Sequence, residues 1–308
     1  MLVAPSPIIS LLVVLLVAPA LPGIAARTRA VLTRRRGQPV LQLYSDLWKL
    51  GWKGAVYGST TTWIFKLAPV AVLSSALIAA ALVPLNGQSA LFSFSGDVVA
   101  FAYVLGFGRL ILVLAALDTG SSFEGMGASR EVTVATFVEV GLFLSLAVLS
   151  LLTGEFSMSG MIATSATGVN VSRLAPLAMV AGSLFAMTLA DAARVPVDDP
   201  TTHLELTMIH EVMVLEHSGP DLGLLAYGGA LRLTLFASLI VGVLMPRASL
   251  TPSLSAVFML GGLAFVAVGI GVVESVMARL RWPRVPLYLA GSSALALFSL
   301  VLLFWGVA

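Results

Sequence analysis

Eight runs of about 20 mainly apolar residues, separated by shorter polar stretches, dominate the chain. A transmembrane α-helix needs about 20 apolar residues to cross the hydrocarbon core of a bilayer. The runs lie at residues 7–26, 66–85, 97–117, 131–153, 172–190, 222–245, 255–278 and 286–306. The pattern predicts an all-α polytopic membrane protein with about eight transmembrane helices in a single transmembrane domain, residues 1–308.

Composition supports this fold class. Of the 308 residues, 58% are hydrophobic and 10% are charged, whereas a soluble domain has about 25% charged residues. The composition excludes a water-soluble globule, a disordered chain and a nucleic-acid-binding domain. We therefore expect lipids, and no nucleic acid, among the partners.

The first run also shares features with a secretory signal peptide, since Ala25 and Ala26 resemble a cleavage site. A signal peptide carries its basic residues before the apolar core, whereas the first basic residue here is Arg27. This order favours a helix that is retained in the mature protein.

The distribution of Lys and Arg predicts the orientation. The loops after the first, third, fifth and seventh runs hold thirteen of the 17 basic residues, and the loops after the second, fourth and sixth runs hold two. Because basic loops stay in the cytoplasm, we expect both termini outside. The loops over 27–65 and 191–221 are then cytoplasmic.

The 27–65 loop contains a segment with helical periodicity, from Leu41 to Gly54. Its regularly spaced leucines are Leu43, Leu47 and Leu50, and its aromatic residues are Tyr44, Trp48 and Trp52. The pattern predicts a short amphipathic helix. It lies either on the bilayer surface or against a partner.

Apart from charges at the first two positions of a span, four charged residues fall within predicted spans: Arg109, Glu139, Arg232 and Glu274. A charge at the centre of a bilayer costs at least ~2.5–3.5 kcal/mol, so such residues are candidates for function. For Glu139 we favour a proton-transfer role. Arg109 and Arg232 are either functional or structural ion-pair partners, and Glu274 is either functional or paired with Arg279 or Arg281.

The acidic loop over 191–221 predicts a further, polar helix at 203–217. Thr202 and Glu205 have the spacing of a capping box, and Gly219 with Pro220 predicts the end of the helix. On a helical wheel, Glu205 and Glu216 fall within an apolar arc. Burial there would raise the pKa of these carboxyls and allow proton exchange near neutral pH. The alternative is that each pairs with a cation such as Arg194.

Catalytic and metal-binding patterns are missing from the sequence. There is no cysteine to bind a cluster or zinc. His210 and His217 are seven residues apart, so they do not form the zinc motif H-E-x-x-H. We expect no catalytic residue, no metal site and no cofactor in this chain, so that any electrons are carried by partner subunits.

Long motifs resemble the complex I subunit 1 family. The segment DAARVPVDDPTTHLELTMIHEVMVLEHSG at 191–219 carries most of the resemblance. The segments GSSFEGMGASRE at 120–131, RRRGQPVLQLYSDLWK at 34–49 and the stretch 274–286 agree with it. The branch that the chain resembles most is that of formate hydrogenlyase and the group 4 membrane-bound nickel–iron hydrogenases.

This resemblance implies a location between a hydrophilic redox arm and a membrane arm, in the cytoplasmic (inner) membrane of a prokaryote. The implied partners are a hydrogenase-type large subunit, an iron–sulfur subunit and antiporter-like membrane subunits. Their implied cofactors are a nickel–iron centre and iron–sulfur clusters. The carboxylates implied for the proton path are Glu139, Asp198, Asp199, Glu205, Glu211 and Glu216, with Arg194 as cationic partner. The predicted proton-path site also includes Glu274, with Arg109 and Arg232 as further cationic partners. The predicted partner-docking loop consists of Arg34, Arg35, Arg36, Trp48 and Lys49.

Four functions compete. The first is a non-catalytic subunit of a hydrogenase complex that couples electron transfer to proton or sodium translocation, and the second is the quinone-site subunit of an NADH:quinone oxidoreductase. The third is a stand-alone transporter, which the missing inverted repeat disfavours. The fourth is a structural anchor, for which the carboxylates would be needless. His217 occupies a position where many members have Tyr, which argues against a conventional quinone chamber.

Overall fold

The structure is a computed structural model that describes residues 7–85, 88–167, 171–199, 208–245 and 252–305. The helices within these ranges are α1 (Pro7–Val17), α2 (Ala20–Leu32), α3 (Gln42–Gly51), α4 (Trp63–Leu82), α5 (Asp97–Asp118), α6 (Ser122–Thr153), α7 (Met158–Thr167), α8 (Val171–Asp191), α9 (His210–Met213), α10 (Gly219–Leu244), α11 (Pro252–Val276) and α12 (Val285–Trp305). Seven of the described helices are long and apolar enough to cross a bilayer, and the bent pair α1–α2 makes an eighth if it counts as one span. The predicted fold class is confirmed.

The first span is not continuous as predicted, because α1 and α2 meet at a bend of 41°. Pro19 lies at the break, and a proline has no N–H for the carbonyl group four residues earlier. That carbonyl group belongs to Leu15 and accepts a hydrogen bond of 3.0 Å from the Tyr227 hydroxyl. The Tyr44 hydroxyl donates to the carbonyl group of Leu16. Two tyrosines from elsewhere in the chain therefore supply hydrogen bonds to carbonyl groups at the break in the helix.

The fourth span is longer than predicted. Helix α6 has 32 residues and is about 48 Å long, so it exceeds the hydrocarbon core of about 30 Å. The motif at 120–131 lies between two predicted spans, but most of it forms the first turns of α6. Glu139 consequently lies near the middle of this helix, and not eight residues from its start.

Helix α10 is the central helix of the bundle. In its most apolar 18-residue stretch 78% of the residues are buried, against 28% in that of the last span, and it packs against α3, α4, α8 and α11. Small residues bring the helices around it close together. A Cβ at Gly108 would collide with the side chain of Ser75, and one at Gly271 would lie 2.5 Å from the carbonyl oxygen of Ala25. A charged side chain on α10 is therefore enclosed by the protein.

The amphipathic helix predicted from Leu41 is present as α3. Its leucine face packs against α10: a Cβ at Gly223 would lie 3.5 Å from Leu50 and 3.9 Å from Leu47. The chain itself therefore covers this face. Trp48 and Trp52 point outwards and are 71% and 77% exposed.

The helix predicted over 203–217 is wrong for its described part, residues 208–217. Helix α9 contains only His210–Met213 and is followed by a turn. The carboxylate of Asp198 accepts hydrogen bonds from the backbone N–H groups of Ile209 (3.1 Å) and His210 (3.2 Å). It thereby caps α9 and sets its start.

Gly219 and Pro220 begin a helix rather than ending one. Proline is favoured in the first turn of a helix, where its missing N–H is not needed, and here it lies in the first turn of α10. Gly219 has a φ of +54°, and a Cβ there would lie 2.6 Å from the carbonyl oxygen of Gly54. The positive φ and the lack of room for a Cβ both require glycine at this position.

Candidate functional site

Four charged side chains form a compact network inside the helix bundle. Asp191, at the end of α8, accepts hydrogen bonds from Arg109 of α5 and Arg232 of α10, the latter at 2.7 Å. Glu131 of α6 lies 3.3 Å from Arg109. All four side chains are at most 9% exposed. Two arginines and two carboxylates balance each other, as the burial of charge requires.

Glu139 extends this network along α6. It faces Gly106, where a Cβ would lie 3.3 Å from the Glu139 carboxylate, and it interacts electrostatically with Arg109 one turn further along α5. Glu139 is half-buried. The predicted intramembrane carboxylate is therefore coupled to an arginine that also faces Asp191 and Glu131.

Three further ion pairs hold the segment that follows α8. They join Arg194 to Glu274 at 3.2 Å, Arg279 to Asp198 at 2.9 Å and Arg29 to Asp199 at 3.3 Å. The sequence left open a pairing of Glu274 with Arg279 or Arg281, but its partner in the structure is Arg194. The Glu274 side chain is 1% exposed. This segment is thus tied to both α2 and α11.

The two groups of charges border one cavity of about 360 Å³. Its charged or titratable lining residues are Asp191, Arg194, Asp198, His210, Glu211 and Arg232. Its apolar lining comes from α3, α4, α5 and α10, through residues such as Leu43, Val72, Leu112 and Leu225. The Nε atom of Arg232 is buried and has no hydrogen-bond partner among the described residues. The cavity therefore combines an apolar wall with charged groups from α8, α10 and the acidic loop.

The remaining carboxylates of the acidic loop separate in space. Glu211 is half-buried and lines the cavity. Glu216 is exposed, so the prediction that it lies in an apolar arc is wrong. The wheel that predicted it assumed a continuous helix, which ends here at Met213. Glu205 lies outside the described residues.

His217 is buried at 3% exposure and packs against aromatic side chains. Its ring stacks on Phe65 at a centroid distance of 3.9 Å and an interplanar angle of 6°. Neither ring nitrogen has a hydrogen-bond partner in the part of the chain that the structure describes. Burial lowers the pKa of His217 from 6.5 to about 4, although Asp221 opposes the shift. His217 does not line the cavity.

The predicted docking residues lie at the surface. Arg34, Arg35, Arg36, Trp48 and Lys49 are all exposed. Three of them follow directly after α2, and the other two lie on α3.

Two residues of the buried network, Asp191 and Glu131, were not predicted from the sequence. Both were visible in the motifs, but they fell at the edges of predicted spans. The signal that identifies them is charge balance, because two arginines within spans require two nearby anions. No group of three or more His, Asp and Glu residues suited to a metal ion occurs among the residues described.

Comparisons with known proteins agree with the motifs. The sequence profile of the family described as NADH dehydrogenase matches residues 6–305. Formate hydrogenlyase subunit 4 of Escherichia coli is 31% identical over 96% of this chain and 98% of its own length. Hydrogenase-4 component C of the same organism is 34% identical over 76% of this chain and 73% of its own length.

Two further relatives have lower sequence identity. A subunit of the NADH-quinone oxidoreductase of Rubrobacter xylanophilus is 28% identical over 58% of this chain and 54% of its own length. A chain in the structure of the membrane-bound sulfane sulfur reductase, an archaeal respiratory membrane complex, shares the fold with a TM-score of 0.78 at 20% identity, over 96% of this chain and 98% of that chain. The resemblance found in the sequence is confirmed. Because the family profile spans nearly the whole chain and two relatives exceed 30% identity, the chain belongs to the family described as NADH dehydrogenase.

Proposed function

We propose that this chain is a non-catalytic membrane subunit of a hydrogenase-type respiratory complex. It anchors the redox arm and couples electron transfer to the translocation of protons or sodium ions. The names of its relatives, formate hydrogenlyase subunit 4 and hydrogenase-4 component C, support the type of complex. The observation that carries the coupling role is the set of buried ion pairs beside the cavity, from Arg109–Glu131 to Arg194–Glu274, with Glu139 next to Arg109.

Arg109 is the pivot of the proposed coupling. Its guanidinium group faces Asp191 and Glu131 and interacts with Glu139. When a proton neutralises one of these carboxylates, the arginine is left with less compensating charge and stabilises the ionised form of the others. In a medium of low dielectric constant this interaction is strong. A protonation change beside the cavity thereby changes the proton affinity of Glu139 without moving a proton through the arginine.

The exposed side of α3 and the turn before it form the proposed docking surface for the redox arm. This surface consists of Trp48 and Lys49 with Arg34, Arg35 and Arg36. The proposed partners are a hydrogenase-type large subunit and an iron–sulfur subunit, which supply the nickel–iron centre and the clusters. Antiporter-like membrane subunits complete the membrane arm. This assignment places the docking surface in the cytoplasm, and both termini outside, in a prokaryotic inner membrane.

A second candidate is the quinone-site subunit of an NADH:quinone oxidoreductase. The observation that favours it is the cavity, because its apolar wall suits an aromatic ring and its polar lining includes Arg194, His210 and Arg232. A quinone bound there would accept electrons from the redox arm. The weaker relationship to a subunit named for quinone supports this candidate less than the other two relatives support a hydrogenase.

Purification of the complex under mild conditions tests the assignment. With an affinity tag on this chain, we expect nickel and iron to co-purify with a large subunit and an iron–sulfur subunit. Co-purification of flavin and NADH:quinone activity would instead favour the second candidate. Purification of the chain alone, with ion transport in liposomes, would contradict both.

The docking surface has a matched test. Trp48→Ala with Lys49→Ala is expected to reduce recovery of the partner subunits. Trp305→Ala removes an equally exposed tryptophan, at 82% exposure, from the far end of α12 and should leave recovery unchanged. Equal recovery for both variants would exclude this surface as the docking site.

A further inference from the structure

A second, more basic cavity opens where α2 and α11 end. Its volume is about 740 Å³, and its charged lining residues are Arg29, Arg35, Arg36, Arg194, Glu211 and Glu274. Arg194 and Glu211 line the first cavity as well, so they form the inner end of this groove. Arg35 and Arg36 belong to the exposed turn after α2 and form its mouth.

The inner end of the groove is neutralised within the protein, but its mouth is not. Arg194 pairs with Glu274, and Arg29 pairs with Asp199. Arg35 and Arg36 have no carboxylate partner among the described residues. Two arginines that line the same groove without a carboxylate partner suit an anion that offers several acceptor oxygens, such as a phosphate group.

The backbone holds these arginines at the mouth. Arg34 has a φ of +54°, a left-handed conformation that glycine usually adopts at the end of a helix. The N–H of Arg35 bonds to the carbonyl oxygen of Ala30 at 2.8 Å, and the N–H of Arg34 bonds to that of Val31 at 3.1 Å. The chain therefore turns back on α2 directly before Arg35 and Arg36.

A strip of exposed apolar side chains runs from the groove along α11. It consists of Val276, Val272, Val268 and Phe265, which are 79%, 41%, 39% and 77% exposed. Their spacing of three or four residues puts them on one face of the helix. The strip is about 16 Å long, close to half of the hydrocarbon core of about 30 Å. One acyl chain of one leaflet would cover it.

We propose that this groove binds an anionic phospholipid. The phosphate group pairs with Arg35 and Arg36, and an acyl chain lies along the strip on α11. A free phosphate ion shares the headgroup chemistry but leaves the apolar strip on α11 uncovered. An acidic protein segment would pair with the arginines but would not explain the apolar strip. Arg35 and Arg36 also belong to the proposed docking surface, so the bound lipid headgroup would lie beside the docked redox arm.

The test uses the full-length chain in nanodiscs that contain equal amounts of phosphatidylglycerol and phosphatidylcholine. Native mass spectrometry after release measures which lipid stays bound. We expect the wild type to retain phosphatidylglycerol preferentially, and Arg35→Gln with Arg36→Gln to reduce that preference about tenfold, since charged hydrogen bonds are lost. The control, Arg34→Gln with Lys53→Gln, removes the same charge from exposed residues outside the groove and should retain the preference.

Three results would overturn the proposal. The first is a wild type without preference for phosphatidylglycerol. The second is an equal loss of preference in both double variants, which would indicate non-specific attraction by net charge. The third is displacement of the lipid by excess inorganic phosphate, which would indicate a site for a free anion. Unchanged helix content by circular dichroism establishes that each variant is folded.

Discussion

Asp191 holds two arginines at once, and this makes it the residue on which the buried network depends. Its carboxylate bonds to both Arg109 and Arg232 at 1% exposure. A buried ion pair of this kind adds little net stability, because the free energy lost by removing the charges from water nearly equals the free energy gained by their attraction. Removing one partner is different, since it leaves uncompensated charge inside the protein.

Asp191→Asn is therefore expected to destabilise the protein by about 3–5 kcal/mol and to lower the yield of the complex. Thermal unfolding in detergent measures this effect. Asp46→Asn is the control, because Asp46 lies on the surface of α3 and is 4.0 Å from Lys49. Such a surface pair contributes at most about 1 kcal/mol. Equal unfolding temperatures for the two variants would contradict the assigned role of Asp191.

His217 predicts a dependence of stability on pH. Because its folded pKa of about 4 lies below the ordinary 6.5, the unfolded chain binds a proton more readily between these values. Its contribution to stability, about 3 kcal/mol, is present above pH 6.5 and is lost as the pH falls towards 4. His217→Phe keeps the stacking on Phe65 and removes the titration, so the unfolding temperature of the variant should fall less over this range. A variant with the same pH profile as the wild type would show that other groups cause the loss.

Individual candidate residues could be predicted from the sequence where a charge lies in a span, because burying a charge in the bilayer is costly. Arg109, Arg232, Glu139 and Glu274 were all recognisable because they interrupt apolar runs. Their partners were not, because pairing depends on which helices are neighbours. Glu274 could not be assigned to Arg194 without knowing that the turn after α8 reaches α11.

At the scale of elements, the helices with long apolar runs were predictable and the polar ones were not. The prediction of a helix over 203–217 used local signals, namely a capping box and a helical wheel. The observed α9 begins at His210 because Asp198, twelve residues earlier, caps it. A hydrogen bond between distant residues leaves no periodic signal in the sequence.

The break between α1 and α2 gives a prediction at this scale. Tyr227→Phe removes the hydroxyl that satisfies the carbonyl group of Leu15. Loss of about 1 kcal/mol should lower the unfolding temperature by about 2 °C in a chain of this size. Tyr103→Phe is the control, because Tyr103 is 68% exposed on the outer face of α5. An equal shift for both variants would mean that the hydrogen bond from Tyr227 to the carbonyl group of Leu15 does not stabilise the break.

At the scale of the whole molecule, the basic residues predict one orientation. The chain contains no cysteine, so single cysteines can be introduced without a background. Ser45 on α3 and Ser95 before α5 are both exposed and lie at opposite ends of the bundle. In sealed right-side-out vesicles, an impermeant thiol reagent should label Ser95→Cys and spare Ser45→Cys. The reverse pattern would invert the proposed topology.

In the proposed function, the carboxylates inside the bundle couple redox chemistry to ion movement. Glu139→Gln tests it most directly, because glutamine keeps the shape of the side chain and removes its proton exchange. Glu155→Gln is the control, since Glu155 is exposed beyond the end of the same helix. The measurement is the number of ions translocated per electron by the assembled complex in proteoliposomes. We expect normal assembly for both variants and a marked loss of translocation for Glu139→Gln alone. Unchanged translocation in a fully assembled Glu139→Gln complex would contradict the coupling role.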